Sequence, residues 1–310
     1  VETSSKERAE ALWRKRVDME HRWNLREGDE GDFHDLRSEI RATLATFVLK
    51  LFRLYERGRR NALTPGLTQL TFRYPNLPES LDGLSILHLS DFHFSINDTM
   101  FTEAIAKLVK GMDVDLCLMT GDYRYGHFGP QDKVQEHMHR VLSGFEARYG
   151  VFGVLGNHDL SEVVPQLRDL GVRVLLNEGV LLPVGNARVW IGGVDDPHKF
   201  RCDSLEDALA EAPLDAFKIL LIHSPERVPE AVRYGVDLYL CGHTHGGQVC
   251  LPVIGMVYPN ARCAPQYVKG VWKAGPMQGF TTRGLGTTDL PIRYHCPPEA
   301  ALITLRRGDK

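Results

Sequence analysis

At 310 residues, 43% of them hydrophobic, the chain is long enough to bury a large core. A net charge of -3 gives no overall attraction to nucleic acid, no stretch approaches the roughly eighteen apolar residues of a membrane span, and no signal peptide is visible. Six cysteines, at 117, 202, 241, 250, 263 and 296, have no Cys-x-x-Cys or paired spacing and read as reduced thiols of a cytoplasmic protein.

The first 62 residues differ in character from the rest. Residues 5–26 are highly charged, with Leu12, Met19 and Trp23 at helical spacing, and Gly28 to Gly31 should break that helix. A second helix is expected over about 36–57. Ile40, Leu44, Phe47, Val48, Leu51, Leu54 and Tyr55 fall on one face of it, with Lys50, Arg53 and Arg57 opposite. Between positions 37 and 60 there are seven basic residues against Glu39 and Glu56. A basic amphipathic helix lies in an anionic membrane interface, here through residues 36–60, or packs its apolar face on the core or a second subunit.

The core should begin near Leu63. Residues 63–82 alternate apolar and polar side chains (Leu67, Leu70, Phe72, Tyr74) as an edge strand would. Five apolar runs follow, each ending in metal-ligand types. Residues 84–90 deliver Asp91 and His93, two ligands at i and i+2, which on an extended strand share one side. A helix over 98–109, with Met100, Ile105 and Leu108 on its apolar face, leads to run 114–120 and then Gly121-Asp122. His127, His137 and His139 fall in a polar stretch read as a solvated helix without a role. Run 149–155 ends at Gly156-Asn157-His158-Asp159, run 219–222 at His223, and run 236–241 at Gly242-His243-Thr244-His245. Run 189–194 is followed by Asp195-Asp196-Pro197-His198, which lines a substrate mouth or simply turns the chain. Near-continuous apolar runs are strands buried on both faces, and in open α/β sheets ligands gather beyond their carboxyl ends.

Asp-x-His, Gly-Asp, Gly-Asn-His-Asp, a lone His after a strand and Gly-His-x-His, in that order, resemble the calcineurin-like metallophosphoesterases over roughly residues 83–305. The resemblance implies an α/β fold of two packed β-sheets flanked by helices, here residues 63–310 behind a 1–62 N-terminal helical appendage. It implies two divalent ions, one taking Asp91, His93, Asp122 and His245, the other Asp122, Asn157, His223 and His243, with Asp122 bridging. His158 matches the family's catalytic histidine. Imidazole and carboxylate ligands suit manganese, iron or zinc, with manganese favoured. The implied reaction is phosphoester hydrolysis, in which hydroxide between the ions attacks phosphorus and His158 gives a proton to the leaving oxygen. One departure stands out. Many relatives carry a second Asp, three positions after the bridging one, that orients the catalytic histidine, and this chain has Tyr125 there. Asp159 is the nearest carboxylate in sequence.

The tail, 279–287 and 290–305, together with Gly246-Gly247-Gln248-Val249 and Pro252, resembles the bacterial membrane-associated branch. That branch includes enzymes that cleave the pyrophosphate of UDP-2,3-diacylglucosamine in lipid A biosynthesis, and Arg283 or Arg293 would then hold a phosphate. The expected protein is a two-metal hydrolase of a phosphodiester or pyrophosphate, lipid-linked in the preferred reading, on the inner face of the cytoplasmic membrane. The alternative is a soluble phosphodiesterase or protein phosphatase whose N-terminal helices form a dimerisation arm. The complete ligand set argues against a non-enzymatic scaffold. All site residues lie beyond Leu84, so the first 62 residues should be dispensable for small soluble esters.

Overall fold

Two six-stranded sheets lie face to face in the computed structural model, which describes residues 5–95, 98–125, 132–251, 255–256, 261–288 and 290–308. The first sheet holds β1 (Gly66–Tyr74), β2 (Ser85–Leu89), β3 (Leu116–Met119), β4 (Val151–Gly153), β5 (Val172–Val174) and β12 (Glu299–Arg307), in the spatial order β1-β12-β2-β3-β4-β5. The second holds β6 (Glu178–Val184), β7 (Ala187–Gly193), β8 (Phe217–Leu221), β9 (Leu238–Cys241), β10 (Gly270–Ala274) and β11 (Met277–Thr281), ordered β10-β11-β9-β8-β7-β6. The strands β2-β3-β4-β5 and β11-β9-β8-β7 run parallel, while antiparallel pairs form at β12-β2, β10-β11 and β6-β7. This is the expected α/β sandwich flanked by helices, and the expected edge strand is β1.

Strand periodicity explains why the apolar runs are continuous. Ile86, Leu118, Phe152, Ile219, Leu221 and Leu240 point between the sheets. Their neighbours Leu87, Leu89, Cys117 and Met119 point the other way, under α3 (Thr99–Val109), α4 (Asp132–Leu142) and α5 (Val163–Asp169). On the second sheet Leu220, Tyr239 and Cys241 meet α6 (Leu205–Leu209) and α7 (Val228–Arg233). Both faces are therefore dry, as parallel sheets require. On α3 the buried stripe is Phe101, Ile105 and Val109, whereas the expected Met100 is 70% exposed. His137 on α4 is buried rather than solvated, its ring between the Thr102 hydroxyl (2.8 Å) and the Ser95 carbonyl (3.1 Å). His139 is exposed, and His127 lies outside the described residues.

The N-terminal segment departs from expectation. Ser5–Leu51 is one helix, α1, where two were expected, since a glycine costs a helix only about 1 kcal/mol relative to alanine and need not stop it. The break comes at Arg53, whose φ of 57° is left-handed, and α2 (Tyr55–Ala62) follows. Gly58 of α2 sits against Ile292 and Tyr294, so close that an added Cβ would lie 2.7 Å from the Tyr294 ring. Arg293 N–H donates to Gly58 O at 3.0 Å and Asn61 Nδ2 to Arg293 O at 2.9 Å, so the tail loop is laced to α2. Of the apolar face expected here, Leu44, Phe47, Val48, Leu51 and Leu54 are exposed, and the side chain of Ile40, like that of Trp23 further up the helix, lies outside the described residues. Among the described residues no helix is long and apolar enough to cross a membrane.

The inter-sheet core should dominate stability. Ile219→Ala, at a fully buried position between the sheets, is expected to cost about 2–5 kcal/mol, read as a fall in the denaturant midpoint at constant slope.

Candidate metal centre

Five strands end at one place. Beyond β2 come Asp91 and His93, beyond β3 Asp122, beyond β4 Asn157 and His158, beyond β8 His223, and beyond β9 His243 and His245. The site thus straddles the carboxyl edges of both sheets. Its backbone is not extended. Asp91, His93, Asp122, His243 and His245 have φ of 53, 48, 56, 70 and 49°, in the left-handed region that non-glycine residues seldom enter. The i, i+2 pairs therefore converge through two left-handed residues, not through the pleat of a strand. Backbone hydrogen bonds hold the loops in this state, with Asp91 N–H donating to Gly121 O (2.9 Å) and His93 N–H to Asp122 O (3.0 Å). Close approach also demands glycine. A Cβ on Gly242 would lie 2.1 Å from Asp91 Oδ2, and one on Gly156 2.1 Å from Asp122 Oδ1.

The functional atoms crowd together. His223 Nδ1 donates to Thr120 O at 2.7 Å, turning Nε2 toward Asp122 Oδ2 (3.2 Å), Asn157 Oδ1 (3.0 Å) and His243 Nδ1 (3.2 Å). A second knot joins His93 Nε2 to His245 Nε2 (3.0 Å) and Asp122 Oδ2 (3.4 Å), with His245 Nε2 3.4 Å from Asp91 Oδ1. Asp122 belongs to both knots. A single proton satisfies one such contact, whereas a cation satisfies all the lone pairs that face it, so this donor set fits two divalent ions. Asp91-His93-His245, His93-Asp122-His158 and Asp122-His223-His243 each bring ligand atoms within 4.8 Å. Asp91 also accepts the His243 amide (3.0 Å), joining the two sheets, and Asp122 Oδ1 accepts the His158 amide (2.8 Å). The two rings of His93 and His158 meet edge to face, 4.7 Å between centroids.

Electrostatics tell the same story. Burial pushes the Asp91 carboxyl up to about 7. Burial also works against a charged Asp122, but the facing His223 and His158 rings outweigh it and hold Asp122 well below the usual carboxylate range. For His223 burial is again opposed, chiefly by Asp122, and the imidazole is raised to about 10. Both Asp91 and His223 must release protons before they ligate, so cation affinity falls as acid is added.

Several surrounding residues differ from the sequence reading. Asp159, the nearest carboxylate to His158 in sequence, is engaged by backbone amides. Its two oxygens accept the amides of Asp122, Gly156 and Tyr123, each at 2.8 Å, and clamp the loops after β3 and β4 together. Arg283 is paired with Glu299. Arg293 is fully buried against the carbonyls of Gly286 and Arg283 and the His245 ring (3.2 Å), so it is not open to a phosphate. Asp196 caps the amides of His198, Lys199 and Phe200, while the His198 ring packs 4.2 Å from that of His243 and bonds to Glu226. All six cysteines are free.

Sequence reasoning missed Arg16. Its guanidinium, fully buried, pairs with Glu20 (3.0 Å) and Asp195 and donates to the carbonyls of Gly156 (3.3 Å) and Asp159 (2.6 Å). The N-terminal helix is therefore not separate from the site. Its only trace in the sequence is an i, i+4 Arg-Glu pair that reads as a solvated surface.

The model of the family described as calcineurin-like phosphoesterase matches residues 84–247, more than half of the chain. An uncharacterized metallophosphoesterase of Bacillus subtilis, YkuE, is 29% identical over 248 residues, 77% of this chain and 85% of that protein. The phosphodiesterase YaeI of Escherichia coli is 28% identical over 229 residues, 71% of this chain and 81% of its own length. The solved structure of phosphopantetheinyl hydrolase from Mycobacterium tuberculosis covers 65% of this chain and 89% of its own at 11% identity, with a TM-score of 0.42.

Because the Gly242 backbone touches the Asp91 carboxylate, Gly242→Ala is expected to lose bound metal while keeping native circular dichroism. Metal analysis after dialysis against divalent ions checks this, and wild-type metal content would count against the close approach.

Proposed function

This chain belongs to the calcineurin-like phosphoesterase family and is a metal-dependent phosphohydrolase; we propose that its substrate is a phosphodiester or pyrophosphate, carried on a lipid precursor such as UDP-2,3-diacylglucosamine. In this reading Asp91, His93, Asp122 and His245 hold one cation and Asp122, Asn157, His223 and His243 the other, manganese before iron or zinc. When bound, the pair supplies an activated water and offsets charge on the phosphoryl oxygens. His158 holds the proton that the leaving oxygen needs. The mutual approach of His223, Asp122, Asn157 and His243 is the observation that carries this reading.

Support for a lipid comes from the end of α1. Leu44, Phe47, Leu51 and Phe52 are each more than 60% exposed, beside Lys50 and Arg53. This ridge adjoins the loop that backs a candidate ligand. The Tyr294 hydroxyl donates to Leu54 O, and the neighbouring Arg293 packs on His245. An anionic surface would attract the basic residues by about 1 kcal/mol each and accept the apolar ones. The soluble phosphodiesterase with a dimerisation arm is the competing reading.

Asp122→Asn is expected to lose metal and activity together, since one oxygen faces both knots. His158→Ala should keep its metal and lose about 10²- to 10⁴-fold in kcat, more on an ester with a poor leaving group than on a nitrophenyl ester. Equal losses on both esters would leave His158 without an acid role.

Replacing Phe47, Leu51 and Leu54 with Ser should abolish sedimentation with anionic liposomes and spare a small soluble ester. Binding should weaken with salt. A wild-type protein that ignores such liposomes at low salt, or a variant that turns from dimer to monomer, favours the competing reading.

A further inference from the structure

We propose that Arg16 is a positioning residue for the loop after β4, which makes the N-terminal helix part of the hydrolytic site. The proposal rests on the reading of His158 and Asn157 given above. Those two residues lie between Gly156 and Asp159, and the carbonyls of both flanking residues accept from one nitrogen of Arg16, at 3.3 and 2.6 Å. The amide side of the same loop is held by the Asp159 carboxylate. Glu20, one turn along α1, accepts the Ser161 amide at 3.0 Å on each oxygen, fixing the next residues.

The guanidinium is suited to this task. It is fully buried, lies over Phe200 with its carbon 4.0 Å from the ring centroid, and is neutralised by Glu20 and Asp195. Its donors diverge in a plane and reach two carboxylates and two carbonyls. A lysine ammonium, a point charge on a flexible stem, does not span those acceptors. Leu12 and Met19, on the same helix, meet Leu160, Phe200 and Cys202 and supply the apolar half of the docking.

The test uses the full-length, metal-loaded protein, assayed well below the thermal midpoint of every variant. Arg16→Lys is expected to keep KM and lose about 10- to 100-fold in kcat, the usual consequence of a reacting group displaced by an ångström. The loss should be larger on a poor leaving group than on a nitrophenyl ester. Leu12→Ala is expected to lower the midpoint without moving kcat. In the double variant Arg16→Lys costs less on top of His158→Ala than it costs alone, because part of its effect runs through His158. Wild-type kcat in Arg16→Lys, or an equal kcat loss in Leu12→Ala, overturns the proposal and leaves a purely structural ion pair. Should Arg16→Lys not fold, Glu20→Gln takes its place, with the same expected direction and the same overturning result. A fully active His158→Ala defeats the reading of His158 and the proposal with it. A crippled His158→Ala beside a fully active Arg16→Lys defeats the proposal alone.

Discussion

Two carboxylates and four imidazoles, with ligand atoms 3.0 to 3.4 Å apart, are buried together at the junction of the two sheets, and most of the surrounding structure answers to that constraint. Five of the crowded residues have left-handed backbones, each a cost on the order of 1–3 kcal/mol that the framework must offset. The framework does so with strands dry on both faces and with carboxylates that accept backbone amides. Asp91 reaches across to the His243 amide, and Asp159 gathers three amides from two loops. Glycines 156 and 242 follow from the same crowding, since a single methyl would occupy the space of a carboxylate oxygen.

How much of this was legible in sequence depends on what each residue contacts. The five strand ends could be read, because apolar runs buried on both faces carry their own signature and ligand types follow them directly. The geometry at those ends could not. Asp91 and His93 look like a pleated pair, and only the left-handed φ values reveal how they turn inward. Asp159 is the carboxylate nearest His158 in sequence, and its two oxygens accept amides up to 37 residues away. Met100 looks like a core residue, yet α3 buries the stripe through Phe101 because the helix is rotated to cover Met119 and Leu89.

Charged residues were the least legible. Arg293 reads as a solvated charge or a phosphate ligand and is instead enclosed by carbonyls, its burial lowering it to about 10. Arg16 reads as half of a surface pair with Glu20, although its other partners lie 140 to 179 residues along the chain. Hydropathy patterns report which face of an element is covered. They say nothing about a guanidinium that is covered because three acceptors from distant elements join Glu20 of its own helix around it. The first helix is thus two things in succession, a docked segment around Arg16 and an exposed apolar ridge from Leu44 onward.

Strand β1 pairs with β12 along its whole length, from Gly66 opposite Glu299 to Tyr74 opposite Arg307, and β12 then lies between β1 and β2. During synthesis, then, the earliest core strand has no neighbour until residues 299–307 have left the ribosome. β2, which positions Asp91, waits as long for one of its two edges. Pairings of such sequence separation make folding slow and leave an apolar edge open to other chains meanwhile. A nascent chain that has not yet reached residue 299 holds its first ligand loop on a half-built sheet.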